Sequence, residues 1–139
     1  MRIAGADTAK YSKITNKTIK NAFVKGITKE FDLTFISNNS LYIVEYKNWA
    51  TTAFSLRSML NEYKKADNFV KEHLLAIEIV KNAPTDFQKM FNCDESILQN
   101  INLIMVFQNP NAFNYLNSNP NVIGYTLNDF IKKIQSNEY

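Results

Sequence analysis

Two acidic residues and one lysine occur at a spacing that suits metal-assisted chemistry. Asp32 is followed, after twelve intervening residues, by the tripeptide Glu45-Tyr46-Lys47. Both acids fall in stretches typical of β-strands, and two carboxylates that face each other repel unless a cation lies between them. Mg²⁺ prefers carboxylate, carbonyl and water oxygens as ligands. We therefore expect Asp32, Glu45 and the backbone carbonyl of Tyr46 to bind Mg²⁺ or Mn²⁺.

Lys47 lies two residues after Glu45, and the period-2 geometry of a strand places both side chains on the same face. A compact ammonium at this position is suited to contact an attacking water or a scissile phosphate. Asp32, Glu45 and Lys47 are therefore the predicted catalytic residues. The alternative interpretation is a salt bridge on an exposed hairpin, which would contribute less than about 1 kcal/mol.

Two consecutive strands, at residues 30–36 and 41–47, are predicted to carry these side chains. The turn formers of residues 37–40 join the strands as a hairpin. The apolar residues of the first strand are expected to share one face: Phe31, Leu33 and Phe35. Its polar residues are expected to share the opposite face: Glu30, Asp32 and Thr34.

The rest of the chain predicts an α/β fold, a mixed sheet with helices packed against it. The expected elements are a strand at 19–24, a long helix at 54–81, helical turns within 85–100, strands at 101–107 and 122–125, and helices at 112–116 and 127–135. The apolar face of the long helix is expected to comprise Leu56, Leu60, Tyr63, Val70, Leu74, Ile77 and Val80. Residues 1–15 have no clear period and are expected to be irregular.

The single histidine and the single cysteine are not assigned a chemical role. His73 falls on the long helix, where we interpret it as a packed helix histidine. Cys93 has no cysteine or histidine nearby to complete a zinc site. As the one cysteine of the chain, it also has no partner for an intramolecular disulfide.

Length and composition favour one soluble domain over residues 1–139. The chain has 139 residues, of which 45% are hydrophobic and 21% are charged, as in globular proteins. No signal peptide or membrane-spanning stretch is evident, and we expect a cytoplasmic protein. Whether residue 1 is a natural start or the chain is part of a longer protein is left open.

The N-terminal third is rich in lysine, within a formal net charge of +3. Lysines that neutralise phosphates release counterions and so favour nucleic-acid binding. The candidate nucleic-acid-binding residues are Lys13, Lys17, Lys20, Lys25 and Lys29. The alternative is a solvated, lysine-rich surface without a partner.

The hairpin resembles the PD-(D/E)XK nuclease superfamily. The sequence KEFDLTF at residues 29–35 is similar to the family strand that carries the aspartate. LYIVEYKNW at residues 41–49 is similar to its apolar strand ending in Glu-x-Lys. NERD domains, Mrr-like restriction enzymes and the nuclease domain of CRISPR ancillary effectors look most similar. The resemblance covers residues 19–49 and is only architectural from residue 54 onward.

The resemblance implies a restriction-endonuclease-like fold, a mixed central sheet flanked by helices in an αβββαβ order. It implies an endonuclease that hydrolyses phosphodiester bonds with Mg²⁺ or Mn²⁺, on DNA rather than RNA, with a homodimer left open. The alternative is a catalytically retired module that binds nucleic acid or serves assembly. Family members often carry a glutamine on the helix after the motif, and residues 54–60 have none. Asn61 and Glu62 are therefore candidate substitutes, and Glu30 is a further accessory acid.

Overall fold

A mixed β-sheet forms the centre of the fold. The computed structural model describes residues 18–20, 28–48, 55–109, 121–136 and 138–139. Within these ranges a four-stranded sheet has the order β3 (Leu33–Ser37), β4 (Ser40–Lys47), β5 (Ile101–Phe107) and β6 (Val122–Thr126). The β3 and β4 strands are antiparallel, whereas β4, β5 and β6 run parallel to one another. Before them, β1 (Thr18–Lys20) pairs antiparallel with β2 (Thr28–Glu30).

Helices cover both faces of this sheet. They are α1 (Leu56–Asn82), α2 (Pro84–Phe91), α3 (Glu95–Leu98) and, after β6, α4 (Leu127–Gln135). The α1 helix ends at Asn82 because Pro84 lacks a backbone donor, while the same proline is well tolerated in the first turn of α2. At the start of α4, Thr126 Oγ1 accepts a hydrogen bond from the Asp129 N–H at 3.2 Å and caps the helix. The α/β class with a mixed sheet is thereby confirmed.

The turn between β3 and β4 fixes the register of the hairpin. Ser37 pairs with Ser40, which leaves Asn38 and Asn39 as a two-residue turn. Both asparagines have positive φ angles, 49° and 57°, as a type I′ turn requires. Asparagine tolerates this left-handed conformation better than most residues. The predicted hairpin is confirmed, and Leu33 lies opposite Val44.

Two hydrophobic clusters lie on opposite faces of the sheet. The first packs against α1, α2 and α3 and includes Phe31, Leu41, Ile43, Val70, Ile79, Phe87, Leu103, Met105 and Phe107. The second packs against α4 and consists of Leu33, Phe35, Val44, Ile104, Val106, Phe130 and Ile134. The β5 strand contributes alternate residues to both clusters, as expected of a strand buried on both faces.

The predicted strand at residues 30–36 is interrupted, and the prediction for its faces was wrong. The β2 strand ends at Glu30, the chain bends at Asp32, and β3 begins at Leu33. Phe31 therefore packs in the α1-side cluster, with its ring centroid 6.1 Å from that of Phe87. Leu33 lies on the opposite side. Thr34, predicted on a polar face, is fully buried.

The predicted apolar face of α1 was wrong in its first half. Leu56, Leu60 and Tyr63 are 73%, 53% and 37% exposed. The residues that α1 buries are instead Glu62, Ala66, Val70, His73, Ala76, Ile79 and Val80. Two polar side chains, Glu62 and His73, thus lie on the sheet-facing side of the helix.

Some predictions fall outside the described residues: the irregular N-terminal stretch at 1–15, the part of the first strand after residue 20, and the helix at 112–116. Among the helices that the structure describes, none is both long enough and apolar enough to cross a bilayer.

Candidate functional site

Asp32 occupies the bend where β3 begins. Its Oδ2 accepts a hydrogen bond of 2.7 Å from the backbone N–H of Tyr46 on β4. In an uninterrupted antiparallel ladder this N–H would be paired with the carbonyl of residue 31. The carboxylate of Asp32 replaces that carbonyl, and a bond to an ionised acceptor is stronger than a neutral one. The bend therefore brings the Asp32 carboxylate to the position on β4 where a backbone carbonyl would otherwise lie.

The alternation of β4 shows which of its groups face Asp32. The Leu41 N–H donates to the Asn100 carbonyl, and the Lys47 carbonyl accepts from the Gln108 N–H, so these β4 residues turn their backbone polar groups toward β5. Tyr46 therefore turns both its N–H and its carbonyl toward β3. This is the edge at which the Asp32 carboxylate lies.

Glu45 and Asp32 correspond across the hairpin. Continuing the register of Leu33 opposite Val44 by one residue places Asp32 opposite Glu45. The two side groups differ in their surroundings, however. The Asp32 carboxylate contacts the strand backbone, whereas the Glu45 carboxylate contacts Lys47 and His73. Glu45 lies within β4 as predicted, whereas Asp32, predicted within a strand, lies at the bend one residue before β3.

Glu45 lies between two nitrogen groups. Its Oε1 is 3.1 Å from Lys47 Nζ, and its Oε2 is 3.7 Å from His73 Nδ1. The side chain of Glu45 is 14% exposed and that of Lys47 is 26% exposed. The predicted proximity of Glu45 and Lys47 on one face of β4 is thus confirmed, and the pair is more enclosed than an exposed hairpin salt bridge.

His73 joins this site, although it was interpreted from sequence as a packed helix residue. It is fully buried on α1, and its Nε2 lies 3.2 Å from the carbonyl oxygen of Ile43. Because α1 lies over β4, a residue 28 positions after Glu45 faces that carboxylate. The sequence signal for a role at the site would have been a polar residue, His73, among the residues of the buried face of an amphipathic helix.

An aromatic ring lies next to the lysine of the motif. Lys47 Nζ is 4.6 Å from the ring centroid of Phe69, and Lys65 Nζ is 5.8 Å from the same centroid. Both distances are within the range of cation–π attraction. Two ammonium groups therefore lie near one half-buried ring of α1, and one of them, that of Lys47, also contacts Glu45.

The accessory candidates differ in position. Glu62 is 9% exposed on the sheet-facing side of α1, while Asn61 is exposed to solvent. Of the two candidate substitutes for the family glutamine, Glu62 is the one that faces inward. Glu30 ends β2 opposite Thr18, in the smaller sheet.

The basic residues of the N-terminal third are described only in part. Where β1 pairs with β2, Lys20 lies opposite Thr28 and Lys29 lies opposite Ile19. Lys13, Lys17 and Lys25 lie outside the described residues. Their role in nucleic-acid binding stays a prediction.

The oxygen donors near the bend fit a hard divalent cation in type. Asp32 and Glu45 would supply carboxylate oxygens, and the Tyr46 carbonyl lies on the edge facing Asp32; such donors suit Mg²⁺. In the part of the chain that the structure describes, no three His, Cys, Asp or Glu side chains form a group that could hold a metal ion. Ligation of a metal here would therefore require water or substrate oxygens in addition.

Cys93 lies away from these residues. It lines a cavity of about 590 Å³ together with Ile36, which is near the turn end of the hairpin, and residues of α2 and α3. Burial, followed by the charge of Asp94, raises the pKa of its thiol. A raised pKa lowers the fraction of the thiol present as the reactive thiolate.

Comparison with family models, curated proteins and solved structures found no match to this chain.

Proposed function

We propose that this chain is a metal-dependent nuclease with Asp32, Glu45 and Lys47 as its catalytic residues. The observation that carries the proposal is the bend at Asp32. It places a carboxylate on the Tyr46 edge of β4, at the end of the hairpin where Glu45 and Lys47 form a half-enclosed ion pair. A buried or half-buried cluster of charges is costly, and sites of this kind are often functional.

The order of elements supports a restriction-endonuclease-like type of fold. If β2 and β3 are counted as one strand interrupted by the bend at Asp32, the result is three successive antiparallel strands. These are β1, the combined β2–β3 strand, and β4. They are followed by α1 and by β5, which is parallel to β4. This corresponds to the βββαβ part of the order that the resemblance implies.

Each residue has a distinct role in the proposed reaction. A bound Mg²⁺ or Mn²⁺ would lower the pKa of a water ligand and neutralise charge on the phosphate. Asp32 and Glu45 would hold that ion, and the Tyr46 carbonyl would add a neutral oxygen. Lys47 would orient the attacking water or bind a phosphate oxygen, and the neighbouring Lys65 would attract the nucleic-acid backbone.

The direct test is cleavage of supercoiled plasmid, linear duplex, single-stranded DNA and RNA, each with Mg²⁺, Mn²⁺ or EDTA. We expect cleavage with either metal, preferentially of DNA, and none in EDTA. Glu45→Gln preserves shape and removes the charge, so it should abolish cleavage. Asp67→Asn changes an exposed acid that pairs with Lys71 on the outer side of α1, and it should cleave like the wild type. Full activity in EDTA, or in Glu45→Gln, would overturn the proposal.

The second candidate is a catalytically retired module that binds nucleic acid or serves assembly. One observation favours it: Lys47 Nζ lies 3.1 Å from Glu45 Oε1, so the charge of Glu45 is already balanced within the protein. Calorimetric titration with Mn²⁺ separates the two functions. A retired site should show no saturable Mn²⁺ binding, whereas the nuclease should bind Mn²⁺ and lose that binding in Glu45→Gln.

A further inference from the structure

The tautomer of His73 follows from its contact with β4. Its Nε2 lies 3.2 Å from the Ile43 carbonyl oxygen. A carbonyl oxygen can only accept a hydrogen bond, so Nε2 must carry the proton. In the neutral imidazole, Nδ1 then presents its lone pair. That lone pair is on the side of Glu45, whose Oε2 is 3.7 Å away.

The separation of these two atoms fits a bridging cation better than a hydrogen bond. A charge-assisted N–H···O bond is about 2.7–2.9 Å long, which is well below the 3.7 Å between Nδ1 and Oε2. Two ligand atoms each about 2.1 Å from one metal ion, at that separation, subtend an angle of roughly 120° at the ion. That angle lies close to those of four- and five-coordinate metal sites.

The surroundings of His73 hold its ring in one orientation. The residue is fully buried, and its Nε2 is anchored on the backbone of β4. Imidazoles that ligate metals usually donate their second ring N–H to a carbonyl or carboxylate, which fixes both tautomer and orientation. Ile43 supplies this carbonyl, two residues before Glu45 on the same strand.

We propose that His73 is a metal ligand, and that a divalent transition-metal ion binds between His73 Nδ1 and Glu45 Oε2. This inference rests on the proposed function in one respect, since it takes Glu45 as a metal ligand. It adds a nitrogen donor that the sequence motif does not contain. Imidazole suits first-row transition metals, whereas Mg²⁺ and Ca²⁺ prefer oxygen. The site should therefore favour Mn²⁺ and Co²⁺ over Mg²⁺, with water or a phosphate oxygen at the remaining positions.

The test uses the fact that His73 is the one histidine in the chain. In a preparation without a histidine tag, pulsed electron paramagnetic resonance of bound Mn²⁺ should show coupling to an imidazole nitrogen. That nitrogen can only come from His73. The matched variant is His73→Gln, whose amide can still donate to the Ile43 carbonyl but has no counterpart of Nδ1.

We expect His73→Gln to lose the nitrogen coupling and to bind Mn²⁺ at least about 10-fold more weakly in calorimetry, with a smaller change for Mg²⁺. Bound Mn²⁺ without nitrogen coupling in the wild type would overturn the inference and leave a buried histidine–carboxylate ion pair. So would unchanged Mn²⁺ affinity in His73→Gln. If that variant does not fold, the wild-type spectrum alone decides.

The outcomes also separate this inference from the proposed function. Nitrogen-coupled Mn²⁺ in a protein that cleaves no nucleic acid would retain the metal site and refute the nuclease. Metal-dependent cleavage by a wild type without nitrogen coupling would retain the nuclease and refute ligation by His73.

Discussion

Replacing Lys47 by methionine separates its catalytic role from its structural one. Methionine keeps an unbranched side chain that can pack beside Phe69, and it removes the ammonium that lies 3.1 Å from Glu45 Oε1. If Lys47 orients water or a phosphate, turnover depends on that charge far more than folding does. The variant should therefore fold and bind Mn²⁺ but cleave poorly.

The structure sets the size of both effects. With Glu45 14% and Lys47 26% exposed, the ion pair should contribute more than a surface pair but less than a fully enclosed one, roughly 1 kcal/mol. The cation–π contact with Phe69 adds about 0.5 kcal/mol. A loss of about 1–2 kcal/mol lowers Tm by roughly 3–8 °C in a domain of this size. Loss of positioning and charge stabilisation should lower turnover by about 10²-fold or more, equivalent to at least about 2.7 kcal/mol.

The assays are a thermal melt, a Mn²⁺ titration and plasmid cleavage on the same preparation. Lys71→Met is the matched control because Lys71 pairs with Asp67 at 2.8 Å on the exposed side of α1. This control should match the wild type in both melting and cleavage. If Lys47→Met cleaves at the wild-type rate, Lys47 is only a strand-end charge, and the catalytic interpretation of the motif loses its main support.

Three further predictions concern Asp32 at the bend, Tyr139 and Cys93. Asp32→Ala removes the acceptor of the Tyr46 N–H and should lower the free energy of unfolding, measured in urea, by about 1.5–3 kcal/mol. Asp32→Asn should lower it less. An Asp32→Ala variant as stable as the wild type would contradict this. Burial, with the hydroxyl of Tyr125, raises the pKa of Tyr139. The folded state therefore keeps a proton that the unfolded state releases, and stability should fall as pH rises above about 10. Tyr139→Phe should weaken that fall, measured by melts at pH 8 to 11. Because the pKa of Cys93 is raised, iodoacetamide should alkylate it more slowly at pH 8 in the native protein than in urea; equal rates would refute this.

Local signals predicted much of the fold. The turn formers of residues 37–40 predicted the hairpin, and within them Asn38 and Asn39 adopt the positive φ angles that its two-residue turn requires. The nearly continuous apolar run at residues 101–107 predicted a strand, and β5 contributes residues to both hydrophobic clusters. These predictions succeeded because each depends on a few neighbouring residues and not on the position of a distant element.

The face of Phe31 could not be predicted in the same way. A period-2 pattern assumes one regular strand, and Phe31, Leu33 and Phe35 satisfied it. The strand is interrupted because the Asp32 carboxylate takes the Tyr46 N–H, a contact between residues 14 positions apart. The acidic residue proposed for chemistry is thus also the residue that breaks the pattern, and alternation alone carries no sign of this.

The first turns of α1 were mispredicted for a related reason. An apolar stripe identifies the buried face of a helix only where apolar side chains fill that face. In this segment the sheet-facing residue is Glu62, while Leu60 and Tyr63 face outward. The spacing of the apolar residues therefore selected the wrong stripe in the first turns of α1.

His73 shows why burial and chemical role need to be argued separately. Its apolar neighbours on α1 correctly indicated a buried position, and a buried histidine is usually assigned to packing. A buried imidazole still requires partners for both ring nitrogens, and sequence order does not reveal them. Both groups that face the ring nitrogens come from β4: the Ile43 carbonyl accepts from Nε2, and the Glu45 Oε2 lies 3.7 Å from Nδ1. Because both lie on the strand that carries the motif, the packing of α1 on β4 and the electrostatics of the proposed metal site depend on the same contacts. A substitution of His73 should therefore affect both metal binding and the packing of α1 on β4.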